Sequence, residues 1–182
     1  MKISIFNAND DKENRDLDEH ISCLAEELGR QHKITNITLR DLNINYCNGC
    51  WGCWVKKPGE CVINDDIPLV QRAFIQSDLV IFAAPMKMGF PSSLMKKVND
   101  RLIPLVHPYI ELVDKEAHHV RRYDTYPYWA LFLQEEAAGS SEDIQLVSEI
   151  YRRTALNIKS SLLYTFTTNQ SAKEICHEID YL

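Results

Sequence analysis

Apolar residues follow two patterns along the chain, short runs rich in β-branched residues and longer stretches with helical spacing. The short runs predict five strands at residues 2–6, 34–39, 79–84, 129–133 and 161–167. The third run is continuously apolar and is closed by Pro85. Such a run is typical of a strand that is buried on both faces of a parallel sheet.

Helical patterns separate these runs. Leu17, Ile21, Leu24 and Leu28 predict a first helix that ends at Gly29. A second helix is predicted from Asp66 as N-cap, with Pro68 in the first turn and an inward face of Leu69, Ala73 and Phe74. Ser92 or Ser93 begins a third helix that ends near Pro104, Ser140 begins a fourth with Ile144, Val147, Tyr151 and Ala155 inward, and a short helix closes the chain. Residues 104–127 predict an irregular polar excursion.

Five alternations of strand and helix predict an α/β fold, a flavodoxin-like three-layer sandwich with a five-stranded parallel sheet in the order 2-1-3-4-5. We expect residues 1–182 to form one such domain. Ligands of these folds bind beyond the carboxyl ends of the strands, at the switch point between strands 1 and 3. The candidate site loops are therefore residues 7–14, 85–92 and 134–140.

Composition narrows the class of partner. The 182 residues are 45% hydrophobic and carry a net charge of −6, which argues against nucleic acid and anionic membranes as partners. Apolar runs stay below the roughly 18 residues of a membrane helix, and the N-terminus shows no signal-peptide pattern. We therefore expect a cytoplasmic protein with reduced cysteines.

Four cysteines fall in one short segment, at Cys47, Cys50, Cys53 and Cys61. This C-x2-C-x2-C run with a fourth cysteine nearby favours a [4Fe–4S] cluster. A four-thiolate zinc site and a set of reduced, redox-labile thiols are the alternatives. Of the remaining cysteines, Cys23 is predicted in the core and Cys176 on a helix surface.

Three segments together carry a family resemblance. The first is the cysteine loop, residues 47–61, with its continuation Cys61-Val62-Ile63-x-Asp65-Asp66. The second is the run Ala84-Pro85-Met86-Lys87-Met88-Gly89 with the helix from Ser92 to Val98. The third is His118-x3-Arg122-Tyr123-Asp124-x2-Pro127. The chain resembles the NAD(P)H-dependent FMN reductase and iron–sulfur flavoprotein family of flavodoxin-like proteins. The resemblance implies FMN as cofactor, NAD(P)H as co-substrate and a homo-oligomer.

The same resemblance implies a set of site residues. The phosphate of FMN would meet the loop that holds Asn7, Asn9 and Asn14. The isoalloxazine ring would meet the segment after strand 3, namely Pro85, Met86, Lys87, Met88 and Gly89, with the Lys87 cation stabilising the reduced flavin. Cys47, Cys50, Cys53 and Cys61 would ligate the cluster. Chemistry would reside in the flavin, so no side chain is named as catalytic.

The loop after strand 1 departs from the family pattern. The family usually has a Gly-Ser-Pro-Arg-type loop there. In this chain the corresponding residues 7–16 contain no Ser or Thr and include Asp10, Asp11 and Glu13. Two unit charges about 8 Å apart repel by about 2 kcal/mol at an effective dielectric constant of about 20. We therefore expect weakened or lost FMN binding. The loop 134–140 also lacks the family's Gly-rich turn.

Other polar and aromatic groups have two interpretations each. Trp51 and Trp54 would stack on a flavin or shield a cluster, or would anchor the loop or form a subunit contact. The pair Asp65-Asp66 is interpreted as a helix N-cap rather than a carboxylate site. The group His118, His119, Arg121 and Arg122 would bind a nicotinamide phosphate or a metal, or would form a solvated basic patch or an oligomer contact.

Two functions follow. The first is an FMN-dependent oxidoreductase that passes electrons from NAD(P)H or a small electron carrier, itself a small molecule or a protein, to an acceptor that the sequence does not identify. The alternative is a degenerate flavodoxin-like protein that has lost FMN and acts as a non-enzymatic binding or assembly module. The acidic segment 9–13 favours the second, and the cysteine loop with Pro85–Gly89 favours the first.

Overall fold

A central parallel sheet organises the chain in the computed structural model, which describes residues 1–113, 115–137 and 139–182. Over these residues the strands are β1 (Lys2–Asn7), β2 (Lys33–Thr38), β3 (Leu79–Lys87), β4 (Phe90–Pro91), β5 (Val106–Val113), β6 (Glu116–Arg121), β7 (Tyr128–Gln134) and β8 (Leu162–Thr167). The main sheet has the order β2-β1-β3-β7-β8 with every neighbouring pair parallel. The predicted flavodoxin-like order is therefore confirmed.

Helices cover both faces of this sheet. They are α1 (Arg15–Leu28), α2 (Gly52–Val55), α3 (Ile67–Ile75), α4 (Ser93–Asp100), α5 (Ser141–Asn157) and α6 (Ala172–Ile179), with 3₁₀ turns at Leu39–Asp41 and Ile103–Leu105. The apolar faces of α1 and α6 pack on one side of the sheet, and those of α3, α4 and α5 pack on the other. The three layers bury residues 79–86 of β3 from both sides, as the continuous apolar run predicts.

Strand β3 extends past Pro85 to Lys87, whereas the sequence predicts that Pro85 closes it. The ladder with β1 ends at the pair Asn7 and Ala83, so Pro85 lies beyond it and its missing N–H breaks no bond on that side. On the other side Pro85 pairs with Gln134 of β7. The longer strand carries Met86 and Lys87 to the carboxyl edge of the sheet.

The segment 104–127 is not the irregular excursion that its polar composition predicts. It holds an antiparallel hairpin of β5 and β6, in which Leu112 lies opposite Ala117 and Val113 opposite Glu116. Asp114, within this segment, and Ala138, within the predicted loop 134–140, lie outside the described residues. The hairpin is separate from the main sheet, and Tyr109, Ile110 and Leu112 stay exposed. Its apolar residues therefore lack the buried-face alternation by which strands are recognised.

Two predicted burial assignments are wrong. Leu69 of α3 is exposed, while Ile67, Val70 and Phe74 face the core. Cys23 of α1 is exposed, although its neighbour Leu24 is buried. Each error is a shift of one position around a helix, where one residue turns a side chain by about 100°.

Ser92 connects the start of α4 to the end of β1. Its hydroxyl donates to the carbonyl oxygen of Ala8 at 2.6 Å, and its oxygen accepts from the N–H of Met95 as the N-cap of α4. The side chain is buried, with 1% of its surface exposed. In the described part of the chain, none of the helices combines the length and the apolar character needed to cross a membrane.

We predict that Ser92→Ala destabilises the fold more than Ser171→Ala, which removes the exposed N-cap of α6. Loss of a cap costs about 1 kcal/mol. Ser92→Ala also leaves the Ala8 carbonyl without its partner in the interior, which adds about 1–3 kcal/mol. Free energies of unfolding from urea titrations measure both variants, and equal losses would contradict the second role of Ser92.

Candidate functional site

Three asparagines shape the loop after β1. Asn7 donates from Nδ2 to Asp18 Oδ1 at 2.8 Å and accepts at Oδ1 from the N–H of Asn9 at 2.9 Å. Asn9 donates from Nδ2 to the carbonyl oxygen of Asn14 at 2.8 Å. Asn7 and Asn9 are buried. The structure thus brings the three predicted residues together, with their amides holding the loop in shape.

Asn14 ties this loop to the end of β7. Its Oδ1 accepts from the N–H of Leu17 as the N-cap of α1, and its Nδ2 donates to Gln134 Oε1 at 2.6 Å. Gln134 also donates from Nε2 to Asp16 at 3.2 Å. Two of the three predicted loops therefore meet through direct hydrogen bonds.

A partly buried ion pair supports the same loop, and the sequence analysis missed it. Arg40, from the 3₁₀ turn after β2, donates to both carboxylate oxygens of Asp18 and to the carbonyl oxygen of Asn9. Burial raises the pKa of Asp18, but hydrogen bonds from Arg40 and Asn7 outweigh it and leave this pKa lowered. Asp18 therefore stays ionised under the β1 loop. The signal in the sequence is weak, because an acid in the first turn of a helix is common.

The charges of the β1 loop are partly balanced. Lys87 Nζ lies 2.7 Å from Asp10 Oδ1 in a pair that is open to solvent on the lysine side. Neither Lys12 nor Arg15 forms an ion pair with any residue that the structure describes, and none of these residues accepts from the N–H of Asp10 or Lys12. The loop thus combines exposed carboxylates with two available cations and two available amide donors.

The segment after β3 presents its backbone at the same edge of the sheet. Met88 has a φ of 53° and is 93% exposed, while Met86 and Pro85 are buried. Gly89 has a φ of 77°, and a Cβ there would lie 3.0 Å from Asp143 Oδ1, so a glycine is required. The N–H of Met88 donates to Glu136 Oε2 at 2.9 Å. This contact brings the third predicted loop to the second, across a narrow crevice lined by Met86, Gly89, Gly139 and Ile144.

The cysteine loop folds around a cavity of about 100 Å³. Cys47, Cys50, Cys53 and Cys61 all line it, with Cys53 buried and Cys61 half-buried. Burial raises the pKa of the Cys53 thiol, and the nearby Cys61 raises it further. Among residues 1–113, 115–137 and 139–182, no three Cys, His, Asp or Glu side chains stand in the close arrangement that holds a single metal ion.

The backbone of this loop takes conformations that few sequences allow. Gly49 and Trp51 both have positive φ, 66° and 56°. A Cβ on Gly52 would lie 2.8 Å from both methyl groups of Val62, so only glycine fits there. A bulky residue such as Trp51 is an outlier in the left-handed region. Its stacking on Trp54, at 5.0 Å between ring centroids, holds it there.

Trp54 anchors the cysteine loop to the segment after α4. Its Nε1–H points at the carbonyl oxygens of Val106, at 2.9 Å, and Ile103, at 3.2 Å. Trp51 lines the cavity of the cysteines. The structure thus supports the anchoring interpretation for Trp54.

A buried ion pair closes the base of the loop. Arg101 donates from Nη1 and Nη2 to the two oxygens of Asp65, both at 3.0 Å, and from Nη1 to the carbonyl oxygen of Asn45 at 2.6 Å. The side chains are 1% and 0% exposed. Burial lowers the pKa of the Arg101 guanidinium, but the Asp65 hydrogen bonds and the neighbouring Cys61 raise it overall. Arg101 also lines the cavity of the cysteines.

Asp65 and Asp66 are more than a helix N-cap. Asp65 Oδ1 accepts from the N–H of Ile67, as a cap does, but its carboxylate is also the partner of Arg101. Asp66 makes no side-chain cap bond to α3 and instead accepts from the N–H of Asn43 at 2.8 Å. Sequence reasoning missed Arg101, whose one signal is a charged residue between the inward positions Val98 and Leu102.

Three of the four basic residues near the hairpin are held by contacts within the fold, whereas Arg121 is exposed. His118 is buried between Asn157 and Glu116, and His119 packs against Trp54 with 5.1 Å between ring centroids. Arg122 donates to the carbonyl oxygens of Pro104 and Val106. These contacts attach the hairpin to the segment that supports the cysteine loop.

Two curated proteins share local sequence similarity with the chain. An iron–sulfur flavoprotein of Archaeoglobus fulgidus is 36% identical over 75 residues, which are 41% of this chain and 33% of that protein. An iron–sulfur flavoprotein of Clostridioides difficile is 34% identical over 70 residues, or 38% of this chain and 30% of that protein. The matched segments thus span about a third of each relative.

Solved structures share the fold over nearly the whole chain. An FMN-dependent NADH-azoreductase of Bacillus anthracis, solved in complex with FMN, superposes with a TM-score of 0.64 at 12% identity, covering 99% of this chain and 98% of that one. An NAD(P)H:quinone oxidoreductase of Methanothermobacter marburgensis gives a TM-score of 0.63 at 13% identity, covering 99% and 93%. The sequence profile of the NADPH-dependent FMN reductases matches residues 1–121. The chain therefore belongs to the NADPH-dependent FMN reductase family.

Proposed function

We propose that the protein is an FMN-dependent oxidoreductase that takes electrons from NAD(P)H. The observation that carries the proposal is the meeting of three loops at the switch point between β1 and β3, in a member of the FMN reductase family. FMN, when bound, supplies the redox chemistry by accepting a hydride and passing electrons on. Family membership favours this function over a module that has lost FMN.

The residues at the switch point fit a phosphate with a reduced affinity. Lys12, Arg15, the N-terminus of α1 and the amides of Asp10 and Lys12 supply positive charge and donors. The carboxylates of Asp11 and Glu13 would repel the phosphate. Asp10 would repel it less than the sequence alone indicates, because Lys87 neutralises the Asp10 carboxylate. Asn7, Asn9 and Asn14 hold the loop in place.

The flavin ring would lie against the segment after β3. Met88 is 93% exposed, and Phe90 exposes half of its surface beside it. An exposed methionine and an exposed phenylalanine at a sheet edge offer an apolar platform for a planar ring. Pro85 and Met86 support this platform from within, and Lys87, paired with Asp10, lies at its rim.

We further propose that the cysteine loop holds a [4Fe–4S] cluster through Cys47, Cys50, Cys53 and Cys61. The four thiols surround one cavity whose lining includes a buried guanidinium. A single zinc ion needs four sulfurs about 2.3 Å from one point, whereas a four-iron cluster takes its ligands from a wider shell. The cluster, when bound, carries one electron at a time.

The electron donor would be NAD(P)H or a small electron carrier, itself a small molecule or a protein, and the active form would be a homo-oligomer. The hairpin supports the second point, because Tyr109, Ile110, Leu112 and Val113 of β5 are exposed together. A patch of this kind marks an interaction surface. Molar mass by light scattering tests it, with the mass of one chain, 21.1 kDa, as the contradicting result.

We predict that protein purified without oxygen is brown and contains iron and sulfide. Cys50→Ser should lose most of the iron, because it removes one thiolate ligand from the cavity. The matched control is Cys23→Ser, an exposed cysteine on α1 that should keep its iron. Iron and sulfide analysis measures all three proteins. Wild-type protein without iron would contradict the cluster.

We predict that the double change Asp10→Ser and Asp11→Ser tightens FMN about tenfold or more and tightens riboflavin far less. Each carboxylate about 8 Å from the phosphate repels it by about 2 kcal/mol before screening, and riboflavin lacks the phosphate. Lys87→Met should have the opposite effect on FMN, because it leaves Asp10 uncompensated. Fluorescence titrations with both ligands give the dissociation constants.

The same samples test the reaction itself. FMN-loaded wild-type protein should lose its flavin absorbance when NADH or NADPH is added without oxygen, and free FMN at the same concentration is the control. In the double variant of Asp10 and Asp11, equal changes in affinity for FMN and riboflavin would show that repulsion of the phosphate does not weaken FMN binding. Failure of the wild type to bind FMN at all would instead support the non-enzymatic alternative.

A further inference from the structure

One nitrogen of the Arg101 guanidinium, Nε, has no partner among the described residues. The Nη atoms of Arg101 are bonded to Asp65 and Asn45, whereas Nε is buried without a hydrogen bond to any of these residues. A guanidinium is fully charged and donates five N–H bonds. An unpaired donor of a buried cation is costly, so its retention needs an explanation.

The cavity of the cysteines supplies that explanation. Arg101 lines the cavity, and of the described residues that line it, four are cysteines. Asp65 is not among the described lining residues, so the cation of the pair faces the cavity and its counter-ion stands behind it. Cys61 lines the same cavity as Arg101. A buried cation with an unpaired donor, at a cavity lined by four cysteines, fits a negatively charged sulfur as acceptor.

We propose that Arg101 sets the reduction potential of the cluster through its positive charge at the cavity wall and its unpaired Nε donor. Hydrogen bonds to the sulfurs and local charge are among the factors that set the potentials of iron–sulfur clusters. Reduction adds a negative charge, which a donor and a nearby cation stabilise. The inference rests on the cluster of the proposed function.

Substitutions of the two members of the ion pair should shift the reduction potential in opposite directions. Arg101→Lys keeps a cation for Asp65 but removes the Nε donor, so the potential should fall. Asp65→Asn removes the counter-charge while keeping nearly the same shape, so the unbalanced Arg101 should raise the potential. A residue that merely stiffened the loop would shift both variants in the same direction or in neither.

The experiment is a redox titration of anaerobically purified protein, followed by visible absorption and electron paramagnetic resonance. We expect Arg101→Lys to lower the equilibrium constant for reduction about tenfold, which is roughly 59 mV for a one-electron couple. Asp65→Asn should raise it. The control is Arg152→Lys, which alters an exposed bidentate pair with Glu149 on α5 and should leave the potential unchanged.

Each outcome decides a different point. Unchanged potentials, or shifts of one sign in both variants, overturn the role of Arg101 while the cluster stands. If Arg101→Lys does not fold or holds no iron, Asp65→Asn decides alone, and a potential that is not raised overturns the inference. Wild-type protein without iron overturns the cluster and this inference together, whereas FMN binding and its reduction by NAD(P)H remain a separate measurement.

Discussion

The buried pair of Arg101 and Asp65 is the interaction on which the cysteine loop depends. It joins Arg101, the residue after α4, to Asp65, two residues before α3, and both partners also bond to Asn45, where the loop begins. A buried ion pair repays its desolvation only when geometry and additional hydrogen bonds are good, and here the contact is bidentate with further amide donors to Asp65. Removal of one partner would cost about 3–5 kcal/mol. The long segment between β2 and α3 is thereby held closed at its base.

The charged groups of the two proposed sites, the β1 loop and the cavity of the cysteines, differ in their exposure to solvent. The β1 loop is solvent-exposed, so Asp10 and Lys87 form a screened pair worth about 0–1 kcal/mol at most. The guanidinium at the cavity of the cysteines is buried, so it acts at a lower effective dielectric constant. A change of one charge should therefore alter ligand affinity modestly at the first site and alter redox properties strongly at the second.

The parallel sheet and its strand order could be predicted from the sequence, because the apolar runs of five strands alternate with helical patterns and few other folds have this pattern. The sequence was insufficient wherever a side chain finds its partner far along the chain. Arg101 and Asp65 are 36 residues apart, and no periodicity links them. The hairpin of β5 and β6 was missed for a related reason, since Ile110 and Leu112 are exposed and carry no core signal. Leu69 and Cys23 show how a shift of one position on a helix reverses burial.

Helix α4 connects the two proposed sites as a spacer of fixed length. Ser92 begins it and bonds to Ala8 at the switch point, and Arg101 follows its last residue and lines the cavity of the cysteines. Nine residues at 1.5 Å each separate these ends by about 13 Å. The inward face of the helix, Leu94, Met95 and Val98, is buried in the core, so it cannot slide without exposing apolar surface. The distance between the switch point at one end and the cavity of the cysteines at the other is therefore set by core packing, and not by the loops around them.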